Sequence, residues 1–241
     1  MFKNYSDLID RTIIYNPHRT KRIISYGVIA ICSIDESVLI IQRKYSPDFI
    51  NFIKGWYRKS QLISLFREMT EDELLSIKKI MYKPERFIAL YNNISPDGDA
   101  TYATLRFEDN QQKVWEMCNN TSYGRPETEW LFPKGKQETS RETHVECAKR
   151  EFLEETGLTY MPENSISDSP ITFYNNSSIG FTYETKLWVF VFKDKPLLPV
   201  DVDNFEIKTK RWVKRSEINK YFDSTKLSIV DEAFRIYRRV L

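Results

Sequence analysis

The sequence predicts an α/β domain whose sheet is interrupted by a mainly helical insertion, and three observations predict it. β-Branched runs open the pattern at residues 22–34 ("RIISYGVIAICSI") and 38–45 ("VLIIQRKY"). Helical apolar spacing replaces them from Ser46 to about Tyr91, and strand patterns return from residue 128 onward. A strand repeats every second residue and a helix every 3.6, so each switch of period marks a boundary. Strands on both sides of a helical stretch fit one interrupted domain better than two in tandem. The expected division is 1–45 with 120–241 for the sheet-bearing domain and 46–119 for the insertion.

The first two runs are separated by "DES", which predicts a hairpin. Within the insertion, "QLISLFREM" precedes "TEDELLSIKKIMY", where Thr70 and Glu73 have the spacing of a capping box. Residues 92–127 mix turn residues with an apolar stretch around 114–117, which predicts loop with one further helix. Strand patterns follow at "TEWLFPKG" (128–135) and, after a glutamate-rich helix, at "ITFYN" and "FTYETKLWVFVFK". The last of these alternates, with Leu187, Val189 and Val191 on one face. A further strand, "EIKTKRWV" (206–213), leads to a closing helix, "STKLSIVDEAFRIYRRVL".

At 241 residues and 41% hydrophobic, the chain can bury a packed core and is not a disordered one. A formal net charge of +2 leaves no global mark of a nucleic-acid binder, so any such surface is local. Cys32, Cys118 and Cys147 lack metal-like spacing and read as buried free thiols of an intracellular protein. Two histidines, His18 and His144, are too few for a His-rich metal site or for the usual nucleophile–imidazole arrangement. Carboxylates are therefore the expected carriers of chemistry. No apolar run reaches membrane-spanning length, and "MFKNYSDLIDRT" is too polar for a signal peptide.

The stretch "KREFLEETGL" (149–158) concentrates three glutamates. Thr143 with Glu146 makes a second capping box and Gly157 suits a left-handed C-cap, so the helix is expected over 144–156. At about 100° per residue, Glu151, Glu154 and Glu155 share one third of the circumference. Val145, Ala148 and Phe152, with Cys147 beside them, form the neighbouring apolar stripe. The acids gather near the helix C-terminus, where the macrodipole disfavours negative charge. Basic partners are sparse: Lys149 and Arg150 alone are near, and Arg150 is expected to brace one acid of the three. A cluster so placed asks for a cation, and oxygen-only ligands suit Mg²⁺ or Mn²⁺.

These residues resemble the Nudix box, G-x5-E-x7-R-E-U-x-E-E-x-G-U, in which U is a bulky apolar residue. The chain has Gly135, Glu142, Arg150, Glu151, Phe152, Glu154, Glu155, Gly157 and Leu158 in order, with six residues instead of five between Gly135 and Glu142. The extra residue is expected to bulge that loop. The resemblance implies an α/β/α sandwich around a mixed sheet, interrupted here by the helical insertion. It also implies hydrolysis of a nucleoside diphosphate linked to another moiety. Glu151, Glu154 and Glu155, with the Gly135 carbonyl, take the place of metal ligands, and Arg150 with Glu142 that of a bracing pair. "WLFPKGK" (130–136) and "EIKTKRWV" are similar to stretches of mRNA-decapping Nudix enzymes. That likeness makes Glu206 a candidate further metal ligand or general base. "YGVIAICS…VLIIQRKYS" before a helical insertion resembles decapping enzymes of large cytoplasmic DNA viruses, of the African swine fever virus and poxvirus type.

The resemblance implies capped RNA as substrate, with 7-methyl-GDP and 5′-monophosphate RNA as products, and the cytoplasm of an infected cell as location. Virion association and a homo-oligomer are left open. Lys134, beside the metal loop, is a candidate for neutralising phosphate charge. In the insertion, Lys54, Arg58, Lys59 and Arg67, with Trp56 and Tyr57 between, and then Lys78, Lys79, Lys83 and Arg86 make a candidate RNA track. The "RIYRRVL" terminus is a second basic stretch. Trp130, Phe132, Tyr174 and Phe181 are the aromatics available to clamp a cap, each with core packing as the competing use. Two alternatives stand beside decapping: a hydrolase of diphosphoinositol polyphosphates or nucleotides, which shares the metal chemistry, and a catalytically silent RNA-binding module, which has no need of a metal cluster.

Overall fold

The computed structural model describes residues 22–83, 85–119, 123–176, 181–199 and 206–240. His18, the polar chain start and Leu241 lie outside the described residues. Strands β1 (Arg22–Cys32) and β2 (Ser37–Arg43) form the expected hairpin, pairing Ile31 with Val38 and Cys32 with Ser37. Strand β1 ends before its apolar run does, because residues 33–36 turn with Glu36 in the left-handed region and the Ser37 hydroxyl donating to Asp35. Strand β2 ends at Arg43, beside an irregularity in its pairing with the strand Ile207–Lys214.

Six helices follow: α1 (Pro47–Ile53), α2 (Leu62–Glu68), α3 (Glu71–Met81), α4 (Glu85–Ile94), α5 (Thr101–Asp109) and α6 (Gln111–Cys118). The capping box at Thr70 and Glu73 is formed. Residues 92–127 are more helical than expected, since α5 forms where loop was predicted. Its Ala103 and Phe107, one turn apart, are buried, and the turn residues before it supply Asp99 to accept from the Thr101 N–H at 2.8 Å. Burial within the block thus overrides weak local propensity. These helices share their own core, in which Phe52 meets Phe66 and Phe107 edge-on and Phe87 stacks on Phe107. Full burial of each such ring contributes about 1.5–3 kcal/mol.

The chain returns to the sheet with β3 (Trp130–Leu131) and β4 (Lys134–Gly135). The single strand expected over 128–135 is broken at Phe132 and Pro133, because proline has no N–H for a ladder. Then come α7 (His144–Thr156), β5 (Ile171–Asn176), β6 (Thr182–Phe192), β7 (Ile207–Lys214) and α8 (Ser224–Val240). The strand order is β3-β2-β1-β6-β5, with β4 pairing β1 and β7 pairing β2. The β1–β6 pair is parallel from Arg22↔Thr182 to Cys32↔Phe192 and the rest antiparallel, so the sheet is mixed.

Each face of the sheet carries a helix. Ile29, Ile31, Leu187 and Val189 pack with Ile229, Ala233 and Phe234 of α8. Tyr26, Val28, Ala30, Trp188 and Phe190 pack with Cys147, Ala148 and Phe152 of α7. The result is an α/β/α sandwich. Of the three cysteines expected to be buried, Cys32 and Cys147 are, while Cys118 is only partly covered at the end of α6. No helix among the described residues is long and apolar enough to cross a membrane.

The helical block joins the sheet at a tight junction. Glu73 accepts from the Ser46 N–H and hydroxyl (2.5 and 2.8 Å) and from the Thr70 N–H (2.8 Å). The Glu71 N–H donates to the Arg125 carbonyl, and the Arg125 N–H to that of Met69.

Candidate active site

Helix α7 starts and stops where its sequence dictates. The Thr143 hydroxyl accepts from the Glu146 N–H at 3.2 Å and the Glu146 carboxylate accepts from the Thr143 N–H at 2.7 Å. Gly157 closes the helix at φ 66° with its N–H on the Leu153 carbonyl. A side chain in that left-handed conformation is strained, which is why glycine stands there. The stripe of Cys147, Ala148 and Phe152 lies in the core and fixes the rotation of the helix.

That rotation presents the three glutamates to different depths. Glu155 is only 6% exposed, and its Oε2 accepts from the Lys134 N–H at 2.7 Å. Glu151 is half-buried and lies against Gly135, so closely that a Cβ at residue 135 would run into its carboxylate. Glu154 is exposed. Strand β4, paired with β1 through Tyr26↔Gly135, holds the Gly135 backbone at this distance.

Arg150 organises the outer acids. Its Nε donates to Glu142 Oε1 at 2.8 Å and its Nη2 to Glu142 Oε2 at 3.2 Å, a forked pair. Its Nη1 reaches Glu151 and Glu154, both at 3.0 Å, and Nη2 also meets the Lys136 carbonyl at 2.9 Å. The expectation that Arg150 braces one of the three acids is therefore corrected: the fork spans two of them as well as Glu142. The residue added between Gly135 and Glu142 is taken up in a turn. There the Glu142 N–H meets the Thr139 carbonyl, and the Gln137 amide donates to the Glu142 carbonyl at 2.6 Å.

Burial raises the carboxyl pKa of Glu155, against the pull of the Lys134 N–H and ammonium and of Arg43. It raises that of Glu151 too, with Arg150 opposing and Glu154 and Glu206 adding repulsion. The hydrogen bond from Arg150 lowers that of Glu142. Lys134 is half-buried, and burial first and Arg43 second lower its pKa. Glu206 is exposed immediately before β7, where its carbonyl accepts from the Lys44 N–H at 2.7 Å, and its charge acts on both Glu151 and Lys134.

Three residues of this cleft escaped the sequence reading. Arg43 ends β2 at a bulge, opposite Ile207 and next to Glu206, and its charge acts on Lys134, Glu155 and Tyr183. Glu129 acts on Lys134, and the almost buried Lys226 of α8 binds Glu129 and, at 3.1 Å, Asp223. A basic residue directly after the apolar run "VLIIQ" was the available signal for Arg43.

The carboxylates of Glu151, Glu154 and Glu155 and the Gly135 carbonyl offer oxygens only, the donor type a hard divalent cation takes. The absent side chain at 135 is what lets the Glu151 carboxylate lie against that backbone. Among the described residues no three ligating side chains converge tightly enough to enclose an ion, since Arg150 draws Glu151 and Glu154 to itself.

The basic residues named for RNA fall into two groups. Lys54, 4.9 Å over the exposed ring of Trp56, stands with Arg58 and Lys59, whose carbonyl accepts from Lys113. Tyr57 does not alternate with them as a stacking surface, because it is buried with its hydroxyl on the Arg106 carbonyl. Arg67 lies over Tyr123 at 5.9 Å, while Lys78 covers Trp115 and Lys79 is exposed. Of the cap-clamp candidates, Trp130 and Phe132 are buried in the core and Tyr174 is exposed under Arg22; Phe181 is half-buried.

Residues 100–233 match the model of the NUDIX domain, more than half of the chain. The mRNA-decapping protein g5R of African swine fever virus is 30% identical over 130 residues, covering 50% of this chain and 52% of that protein. A protein of Acanthamoeba polyphaga mimivirus, provisionally named an mRNA-decapping protein, is 26% identical over 212 residues, 74% of this chain and 58% of its own. The chain thus spans about half the length of the curated relatives it matches. A crystal structure of a C. elegans Ap4A hydrolase aligns over 91% of this chain and 99% of that one, with 13% identity and a TM-score of 0.45.

Proposed function

The chain belongs to the family defined by the NUDIX domain, and from that premise we propose that it is a metal-dependent pyrophosphohydrolase that removes the 5′ cap from mRNA. Its products are 7-methyl-GDP and 5′-monophosphate RNA. The observation that carries this reading is the seat of the Glu151 carboxylate on the Gly135 backbone, with Glu155 tied to the next N–H, that of Lys134. The decapping names of the viral relatives support RNA over other diphosphates. Their viral origin supports the cytoplasm of an infected cell as location.

Glu151, Glu154, Glu155 and the Gly135 carbonyl would hold Mg²⁺ or Mn²⁺. Such an ion supplies the positive field that a polyphosphate needs before water can attack it. The protein's part is orientation and proton transfer. Arg150, held by Glu142, keeps Glu151 and Glu154 paired until a cation draws the two carboxylates from the guanidinium. Lys134 and Arg43 add positive charge on the inner side of the cleft, where phosphate oxygens arrive. Glu206, immediately before β7, accepts the proton of the attacking water, which displaces the leaving phosphate in line without a covalent enzyme intermediate. Residues 46–119 act as an inserted domain that carries the RNA; their separate core supports this division.

Incubation with cap-labelled RNA and Mg²⁺ or Mn²⁺, followed by identification of the released nucleotide, tests the proposal. Release of 7-methyl-GDP is expected. Cleavage of diphosphoinositol polyphosphates or free nucleotides, with capped RNA left intact, would replace it with a small-molecule hydrolase.

A further inference from the structure

We propose that the corner between the end of α3 and the start of α6 is a nucleobase subsite for unpaired RNA, an inference that rests on the RNA reading above. Tyr82 and Trp115 stand nearly perpendicular there, at 89° with centroids 5.3 Å apart. Met81, Gln111 and Gln112 complete a groove of about 380 Å³. Tyr82 packs on Trp115 and still leaves 69% of its surface exposed. The groove joins an exposed ring to two side-chain amides. That of Gln112 donates to Glu116 at 3.4 Å and keeps its oxygen as an acceptor, while that of Gln111 can donate and accept. This suits the face and edge of a splayed-out base.

The charge around the corner selects an anionic strand. Helix α3 has Glu71, Asp72 and Glu73 in its first turn and Lys78 and Lys79 in its last, so the groove lies at the basic end. Lys78 sits 5.7 Å over the Trp115 ring. The macrodipole accounts for two lysines in a last turn. It does not account for Lys83 and Arg86, which are exposed beyond the helix end with Glu85 as the one acid between them. A proline-rich peptide would also suit an aromatic corner, but it has no use for four cations. Base stacking flanked by phosphate contacts uses both features.

The test is binding, read by anisotropy on the full chain, of single-stranded oligo(U), whose bases are unpaired and unstacked, and of an oligo(A)·oligo(U) duplex, whose bases are paired and stacked. Tyr82→Ala is expected to weaken single-strand binding about ten- to hundredfold. It should leave the salt slope and the duplex affinity unchanged, because a ring releases no counterions. Gln112→Glu, which sets a negative charge on the rim, should weaken the same probe. Single-strand affinity unchanged in both variants, or an equal loss on the duplex, overturns the subsite alone. A wild-type chain that binds neither RNA overturns the RNA reading, and one that binds a polyproline peptide through Tyr82 and no RNA overturns both.

Discussion

Glu73 in the helical block and Glu155 on the sheet are both buried carboxylates, 4% and 6% exposed, but their surroundings differ in kind. Glu73 has three donors from Ser46 and Thr70, all supplied by the chain itself. Among the described residues Glu155 has one hydrogen bond, from the Lys134 N–H, with the charges of Lys134 and Arg43 for it and a half-buried neighbour of its own sign, Glu151, against it. A buried charge is tolerated when its hydrogen bonds are complete. The first glutamate is thus a finished piece of architecture, and the second has fewer donors, as the proposed cation role requires. Burial alone does not separate the two acids; the count of their donors does.

Replacing each residue tests that contrast. Glu155→Gln keeps the shape and removes the charge, and turnover on capped RNA should fall by roughly 10²–10³-fold, several kcal/mol of lost charge stabilisation. RNA affinity should stay within about twofold, and Glu154→Gln should behave alike. Retained hydrolysis in both variants would refute the metal assignment. Glu73→Ala should do the converse. Orphaning the Ser46 and Thr70 donors should cost about 2–3 kcal/mol in urea unfolding while activity per folded molecule is kept. Equal loss of activity would erase the contrast.

Glu142→Ala frees Arg150 to close more tightly on Glu151 and Glu154, and turnover should drop about tenfold, mostly through weaker Mn²⁺ binding. A titration that finds Mn²⁺ affinity unchanged would sink that role. Charge reversal at Lys54, Arg58 and Lys59 should lower the salt slope of RNA binding by about 2, at roughly 0.7 per phosphate contact on a single strand. An unaltered slope removes this corner from the RNA track.

The smallest effect concerns pH. Burial raises the Glu73 pKa despite the hydrogen bonds from Ser46 and Thr70. The folded state therefore holds this proton more tightly than the unfolded chain does. The resulting stability is full below the unfolded value of about 4.3 and is lost as pH rises through the raised folded value. The stability difference between wild type and Glu73→Ala should shrink over that window. A difference that grows with pH would contradict it.

Local chemistry made the glutamate helix legible. Thr143, Glu146 and Gly157 carry its limits, and Cys147, Ala148 and Phe152 its orientation, so residues 144–156 were readable without a fold. The block was legible where a cap and a strong pattern coincide, as at Thr70, and illegible at α5, whose Ala103 and Phe107 gain their meaning from rings far along the chain. The split of 128–135 into two short strands was signalled by Pro133 but depends on β1 and β2 taking one piece each. Arg43 entered the cleft through a bulge, and Lys226 reached Glu129 from the last helix. No spacing rule joins residues that far apart. Arg150 was visible as a partner of Glu142, yet its reach to both Glu151 and Glu154 is a matter of side-chain length on a fixed helix.

The junction at Ser46 has a consequence for engineering. The chain leaves the sheet after Arg43 and rejoins it at Glu129, whose carbonyl accepts from the Arg43 N–H, while Gln42 holds Glu127. Exit and re-entry are thus neighbours. A variant in which a short turn joins Tyr45 to Glu127 is expected to keep the sheet and α7, and its cleavage, measured against the full chain, separates the site from the helical block. A variant that fails to fold would show that the block is part of the same domain.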